Sequence, residues 1–282
     1  MCLKVKFYDV EHGSCTHVIT PNNKHILVDV GSKTDKSIIQ HIKNNFFADG
    51  GTLDALIITH PHEDHIWDIP NIYNLNFKPR FLLRPQEAFD IVPQQDTEVH
   101  KNIARYANYM NREYCFPVSL SESVLERCNN GDVNINVINS PQEYTTKEDL
   151  NTFSNIVVVE YCGFKFVLCG DNPAAIMKEM IAYDYKGIRN KISNATVLLT
   201  PHHGRTGEFC ESFFKQVNPL LSVISDKSIV HSTQEQSSTI YHSRGIKWCN
   251  QERYVFSTRN DGNITFTINN KALYINTSKD EY

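Results

Sequence analysis

LDALIITHPHEDH, residues 53–65, joins an unbroken apolar run to His60, His62, Asp64 and His65. LDALIITH has the composition of a strand buried on both faces. In a strand-to-helix loop, alternating His60 and His62 face one side. Asp64 and His65 then turn toward a second position near the helix start. Imidazole nitrogen and carboxylate oxygen suit Zn²⁺ or a similar borderline cation, and a loop at a strand end leaves room for water.

Three other segments repeat the pattern of an apolar strand ending in a polar tip. ILVDVG places Asp29 at a strand end, where it reads either as a turn aspartate or as part of a site. FVLCGDN places Asp171 directly after a buried run, where its two oxygens could bridge two cations or cap the helix that begins near Pro173. VLLTPHHG places His202 and His203 after a further buried strand, and paired histidines at such a tip are hard to explain by packing.

Around these tips, LKVKFYDV (3–10), CTHVIT (15–20) and HILVDV (25–30) read as an antiparallel meander, with HGS and PNNK as its turns. Residues 34–47 carry Ile38, Ile39, Ile42, Phe46 and Phe47 at helical spacing, with Gly50–Gly51 as a stop. The middle predicts a short strand, FLLR (81–84), and helices near 97–112 and 121–128. A second strand series follows: VNINVINS (133–140), NIVVVEYC (155–162), FKFVLCG (164–170), ATVLLT (195–200) and LLSVIS (220–225), with helices near 173–183 and 208–217. RYVFSTR, NITFTI and KALYIN end the chain as strands joined by turns at Asp261–Gly262 and Asn269–Asn270. No repeat or linker divides residues 1–282. The expectation is one α/β (α+β) domain with four layers, αββα, each half a sheet with helices on its outer face.

The chain has 282 residues, 40% hydrophobic and 21% charged, the composition of an ordinary globular protein. Its net charge of −4 comes without a basic tail, so tight, non-specific binding to a long duplex has no support. Cysteines 2, 15, 115, 128, 162, 169, 210 and 249 form no CxxC pair, and several lie in apolar runs. Free, buried thiols in a reducing compartment fit that distribution. No segment approaches ~20 apolar residues and the N-terminus alternates like a strand, so the expectation is a cytoplasmic chain without a membrane span.

Together these residues resemble the metallo-β-lactamase superfamily: HxHxDH, then a strand-terminal Asp, then a strand-terminal His, in that order across roughly residues 3–210. The nearer likeness is to the soluble hydrolase domain of ComEC-type DNA-uptake proteins. It rests on FYDVEHGSCTHVIT with LVDVG, on THPHEDH, on the stretch ending FKFVLCGDN, and on LLTPHHG. The tail, with His231-Ser232 and YVFSTRNDGNITFTI, is also similar. The resemblance implies that His60 and His62 hold a first metal. Asp64, His65 and one of His202 or His203 would hold a second, with Asp171 bridging. Many superfamily members carry another histidine about twenty residues before the bridging aspartate. Here that region holds Asn151 and Asn155, poorer Zn²⁺ ligands, which implies a first metal weakly held, replaced by Mn²⁺, or absent.

Two Zn²⁺ ions per chain would supply hydroxide at neutral pH and stabilise developing negative charge. Asp64 is then both ligand and orienter of the nucleophile. His231 is a candidate for protonating the leaving group or gripping a phosphate oxygen. The leading expectation is a phosphodiesterase or nuclease acting on a nucleic acid strand or small nucleotide. The alternatives are hydrolysis of a lactone, thioester or β-lactam type bond, and a non-catalytic metal-binding protein. Arg80, Arg84, Lys101, Arg105 and Arg112 form either a local phosphate-binding face or a solvated helix face. The oligomeric state is not readable.

Overall fold

Every residue of HILV, 25–28, is buried, yet its two faces meet different neighbours. Ile26 and Val28 join one apolar cluster and Leu27 another. The period-2 alternation of a strand thus persists inside a fully buried run, because both faces are covered. The computed structural model describes residues 2–32, 36–92, 101–116, 118–119, 121–227 and 232–278, excepting the side chains of 101–104.

Along the chain the elements are β1 (Leu3–Phe7), β2 (Thr16–Ile19), β3 (His25–Val28), α1 (Ile38–Phe46), β4 (Ala55–Ile57), α2 (Glu63–Ile66), α3 (Ile69–Asn74), β5 (Phe81–Leu83), α4 (Gln86–Ile91) and α5 (Lys101–Glu113). There follow β6 (Asn134–Ile138), β7 (Ile156–Tyr161), β8 (Phe164–Leu168), α6 (Ala174–Ala182), α7 (Ile188–Ile192), β9 (Val197–Leu199), α8 (Glu211–Val217), β10 (Leu221–Ile224) and α9 (Ser237–Ile240). The chain ends with β11 (Ile246–Trp248), β12 (Gln251–Arg253), β13 (Val255–Ser257), α10 (Thr258–Asp261), β14 (Asn263–Asn269) and β15 (Ala272–Ser278).

The first sheet has the order β15-β14-β1-β2-β3-β4-β5 and the second β13-β10-β9-β8-β7-β6. Between them lie Val5, Phe7, Ile26 and Ile57 of the first sheet, packed with Val157, Phe166, Leu199 and Phe256 of the second. Outside the first sheet, Leu27 and Leu56 meet Ile38 and Ile42 of α1, Ile72 of α3 and Phe89 of α4. Outside the second, Val158, Val167 and Leu198 meet Met177 of α6, Ile192 of α7 and Phe213 of α8. The four layers are those expected, α, β, β, α.

Three expectations need correction. Residues 121–128 form turns that lead into a 3₁₀ turn, Arg127–Asn130, with no α-helix. The Ser123 hydroxyl accepts from Leu125 N and its carbonyl from Asn129 Nδ2, local bonds that compete with a helix. The link expected as a turn at Asp261–Gly262 is the short helix α10, and the strands that it joins lie in different sheets. β13 runs parallel to β10 in the second sheet, whereas β14 crosses back to pair with β1 and β15 in the first. The β14–β15 turn falls at Asn270–Lys271, both left-handed, one residue beyond the expected pair. Cys162 is exposed, at the left-handed turn between β7 and β8; Cys15, Cys169 and Cys210 are buried, and no cysteine is in a disulfide. Among the described residues no helix is long and apolar enough to cross a membrane.

Away from the strand tips, β2 and β3 bury a histidine pair, with His17 Nε2 3.0 Å from His25 Nδ1 and the Tyr8 hydroxyl 3.4 Å from His17 Nδ1. Burial, and then the charge of His25, holds His17 well below the usual imidazole range; burial also lowers His25. Such a group takes up its proton first in the unfolded chain. Its contribution is therefore complete above about pH 6.5 and is lost as pH falls toward the folded value. The loss for His17 has a limiting slope of about 1.4 kcal/mol per pH unit. Urea unfolding between about pH 7 and pH 5 is expected to show a steeper decline for wild type than for His17→Gln. Parallel curves would refute this.

Candidate metal centre

Parallel strands aim their C-terminal tips the same way, and β3 and β4 of one sheet meet β8, β9 and β10 of the other at one end. The tips converge there. Asp171 follows β8 and is almost fully buried. Its Oδ1 lies 3.1 Å from His65 Nε2, and its Oδ2 lies 3.6 Å from His202 Nε2 and 3.9 Å from both His60 Nε2 and His203 Nε2. His60 Nε2 is in turn 3.2 Å from His62 Nδ1. Asp64 Oδ2 stands 3.3 Å from His203 Nε2.

These positions are held by backbone at close quarters. Gly31 packs so tightly on the loop that a Cβ there would fall 1.6 Å from the Asp64 carbonyl oxygen. Ser14 N donates to that same oxygen, and Val30 N to the His65 carbonyl. Gly170, left-handed, lets the Asp171 tip approach Thr59; a Cβ would lie 2.8 Å from the Thr59 Cβ. His202, His203 and Gly204 are successive left-handed residues. Two such histidines side by side are strained by roughly 1–2 kcal/mol each, strain that concentrates at functional sites.

The turn sends the two histidines, which sequence could not separate, in different directions. His203 faces Asp64, its Nδ1 donating to the Ser225 carbonyl at 2.9 Å. That bond fixes the tautomer and leaves Nε2 for the site. His202 also reaches Asp171, while its Nδ1 points toward Glu208 at 3.9 Å. An extended-strand argument could not separate the two, because neither residue is extended.

Asp29 is more than a turn residue. It accepts from Thr59 N at 2.8 Å and Thr59 Oγ1 at 2.9 Å, and lies 2.7 Å from His65 Nδ1. The carboxylate orients the His65 ring and turns its Nε2 to Asp171. His12 was missed as a site residue. Its Nε2 is 3.3 Å from Asp64 Oδ2 and its ring 5.1 Å from that of His203. A lone histidine in an HGS turn carries no spacing signal. Asn155 braces the loop from the second sheet: its N donates to Thr59 O, its Nδ2 to Ile58 O, and its Oδ1 accepts from Asn139. Its amide oxygen is therefore engaged, whereas Asn151 Oδ1 is buried without a hydrogen-bond partner. His231 lies outside the described residues, as does the side chain of Lys101.

The electrostatics favour a cation. Burial pushes Asp64 up, but the His203 hydrogen bond and the His65 and His203 charges outweigh it and hold the carboxyl below its usual range. Burial likewise opposes ionised Asp171, and His65 and His203 overcome it. His65 is driven well above the usual imidazole value, because Asp171 and Asp29 outweigh its burial. His60, dominated by burial and then by His65, goes the other way. Buried His65 Nε2 and His203 Nε2 face the Asp171 and Asp64 carboxylates, at 3.1 and 3.3 Å. One ligating atom from each of Asp64, His65, Asp171 and His203 lies within 4.8 Å of all the others, so an N/O donor set that fits a divalent cation is in place. His60 and His62 adjoin that set through Asp171 Oδ2.

A family model described as the metallo-beta-lactamase superfamily matches residues 9–99, the stretch from Asp9 through His65 and beyond. No curated protein matches. Among solved structures, the metallo-beta-lactamase fold protein YhfI from Bacillus subtilis superposes with a TM-score of 0.52 at 11% identity, covering 94% of this chain and 99% of its own. Tm1679, described as a metal-dependent hydrolase of the β-lactamase superfamily, gives 0.49 at 15% identity, with 90% and 95% covered. Zn²⁺-bound PqqB from Methylobacterium extorquens gives 0.40 at 14% identity, with 67% and 59% covered.

Proposed function

We propose that this chain, which has the metallo-β-lactamase fold, is a metal-dependent phosphodiesterase or nuclease, acting on a nucleic acid strand or small nucleotide. The observation that carries the reading is Asp171. One buried carboxylate is shared by His65 on one oxygen and by His60, His202 and His203 on the other.

Asp64, His65 and His203 would hold one cation, His60 and His62 a second, with Asp171 between them. Zn²⁺ is the first choice and Mn²⁺ the second, on donor chemistry. Bound there, the cations supply Lewis-acid charge and lower the pKa of water. The chain's own residues do the rest. Asp64 Oδ2, placed between His12 and His203, orients the attacking water. Asp29 and the Ser225 carbonyl hold the His65 and His203 rings against rotation. His12, more exposed than His203, can pass a proton between solvent and the leaving oxygen. Water oxygen forms the new P–O bond, the ester P–O bond breaks, and the proton goes to the departing alkoxide.

Support for a phosphate ester over a lactone or thioester comes from the ComEC-type resemblance. The expected result is EDTA-sensitive hydrolysis of bis-(p-nitrophenyl) phosphate or a labelled oligonucleotide that disappears in His62→Ala. No turnover across a panel of divalent metals and nucleotides would overturn the proposal, and a lactone or thioester cleaved in their place would favour the other enzyme class.

A further inference from the structure

A cleft of about 390 Å³ is lined by Arg84, which follows β5, and by Tyr185 and Lys186, which lie between α6 and α7. That volume falls in the range of small-molecule sites, ~300–1,000 Å³. Its floor belongs to the network that holds the metal-centre loops. Ser140 Oγ donates to Asn172 Oδ1, on the residue after Asp171, and Asn139 Nδ2 donates to Asn155 Oδ1. Asn155 N bonds the Thr59 carbonyl, immediately before His60. Phe153, also lining the cleft, precedes Ser154, whose Oγ accepts from Asp171 N. The cleft is thus tied by these hydrogen bonds to the loops that carry His60 and Asp171, although no candidate ligand lines it.

Its walls are chemically mixed in a particular way. The Arg84 guanidinium is braced through Nε and Nη2 on Asn111 Oδ1, at 3.1 and 2.8 Å. Lys186 is exposed, with Nζ 5.1 Å from the Tyr185 ring centroid. Asp184 and Lys186 are left-handed although neither is glycine, so the backbone at this rim is strained. Glu87, the acidic residue of the lining, accepts from Gln142 Nε2 at 2.8 Å, and Arg84 and Lys186 outnumber it in charge. Of the cations that sequence grouped as a phosphate face, Arg84 alone lines this cleft among the described side chains. Arg80 pairs with Glu122 and Arg105 with Tyr109 of its own helix.

We infer that this cleft is the nucleotide subsite of the enzyme: Lys186 and Arg84 grip the phosphate next to the one being cleaved, and the Tyr185 ring stacks on its base. Two cations from separate elements lining one cleft suit a phosphate, and a half-buried ring stacks on any base without reading its identity. The inference rests on the phosphodiesterase reading for its role, but binding can be measured without turnover.

The test uses the full chain in a His62→Ala background and a fluorescein-labelled oligothymidylate, followed by anisotropy. Lys186→Glu, an exposed change that leaves the core alone, is expected to weaken binding about tenfold or more. Tyr185→Ala is expected to weaken it by about five-fold to a hundred-fold. With His62 restored, both variants should raise KM on an oligonucleotide more than they lower kcat. Binding unchanged in both variants, or no binding even with the cleft intact, overturns the inference. Oligonucleotide bound through Lys186 but no diester hydrolysed by wild type upholds the cleft and sinks the phosphodiesterase proposal alone.

Discussion

Asp171→Asn is expected to lower kcat/KM on a phosphodiester by about 10³-fold or more, since a charge-stabilising centre contributes several kcal/mol and each 1.36 kcal/mol is tenfold. The change is nearly isosteric, so the fold should persist. What it removes is the negative charge shared by His65, His60, His202 and His203. An amide oxygen can still accept a hydrogen bond at one position, but it cannot neutralise two cations. Metal content should therefore fall together with activity, while the metal-free variant unfolds at a urea concentration close to that of wild type. A variant that retains wild-type metal content and kcat/KM would remove Asp171 from the centre.

The second large effect is on the backbone. Gly31→Ala would put a Cβ 1.6 Å from the Asp64 carbonyl oxygen and 2.3 Å from its carbon. No rotamer can relieve a clash between two main chains, so either the Asp29–Gly31 tip or the His62–His65 loop must move. Overpacking alone costs about 1–3 kcal/mol, and here the Ser14 and Val30 hydrogen bonds to the loop go with it. We expect a loss of about 3 kcal/mol or more in chelator-treated protein, together with loss of metal binding. Gly207→Ala is the control, because nothing lies within 4 Å of the added carbon. Equal urea midpoints for the two variants would show that the close approach does not constrain the loop.

How much of this was legible depended on whether the signal was local. HxHxDH after an apolar run announces itself, because four donors in six residues have no packing explanation. Asp171 and the His202–His203 pair were legible for the related reason that a polar residue ending a buried strand must point at something. The layering was legible too, since all-apolar strands need cover on both faces. The role of Asp29 needed the third dimension: its partners, Thr59 and His65, lie about thirty residues along the chain. His12 was hidden because one histidine in a Gly-Ser turn has no pattern to repeat. That His203 faces Asp64 while His202 turns toward Glu208 was closed to any strand-based argument by their left-handed backbone. Likewise the crossing of β14 to the first sheet depends on which edge is open, a property of the assembled sheets.

The proposal as a whole depends on imidazoles and carboxylates from different strand tips sharing cations. Crystals of the full chain grown with Zn²⁺ and measured at the zinc absorption edge address this directly. The account predicts an anomalous peak at about 2.0–2.2 Å from His65 Nε2, His203 Nε2 and oxygens of Asp64 and Asp171, with a second, weaker peak between His60, His62 and Asp171. Zinc bound only elsewhere on the chain, or these side chains bonded solely to one another in zinc-saturated crystals, would contradict it.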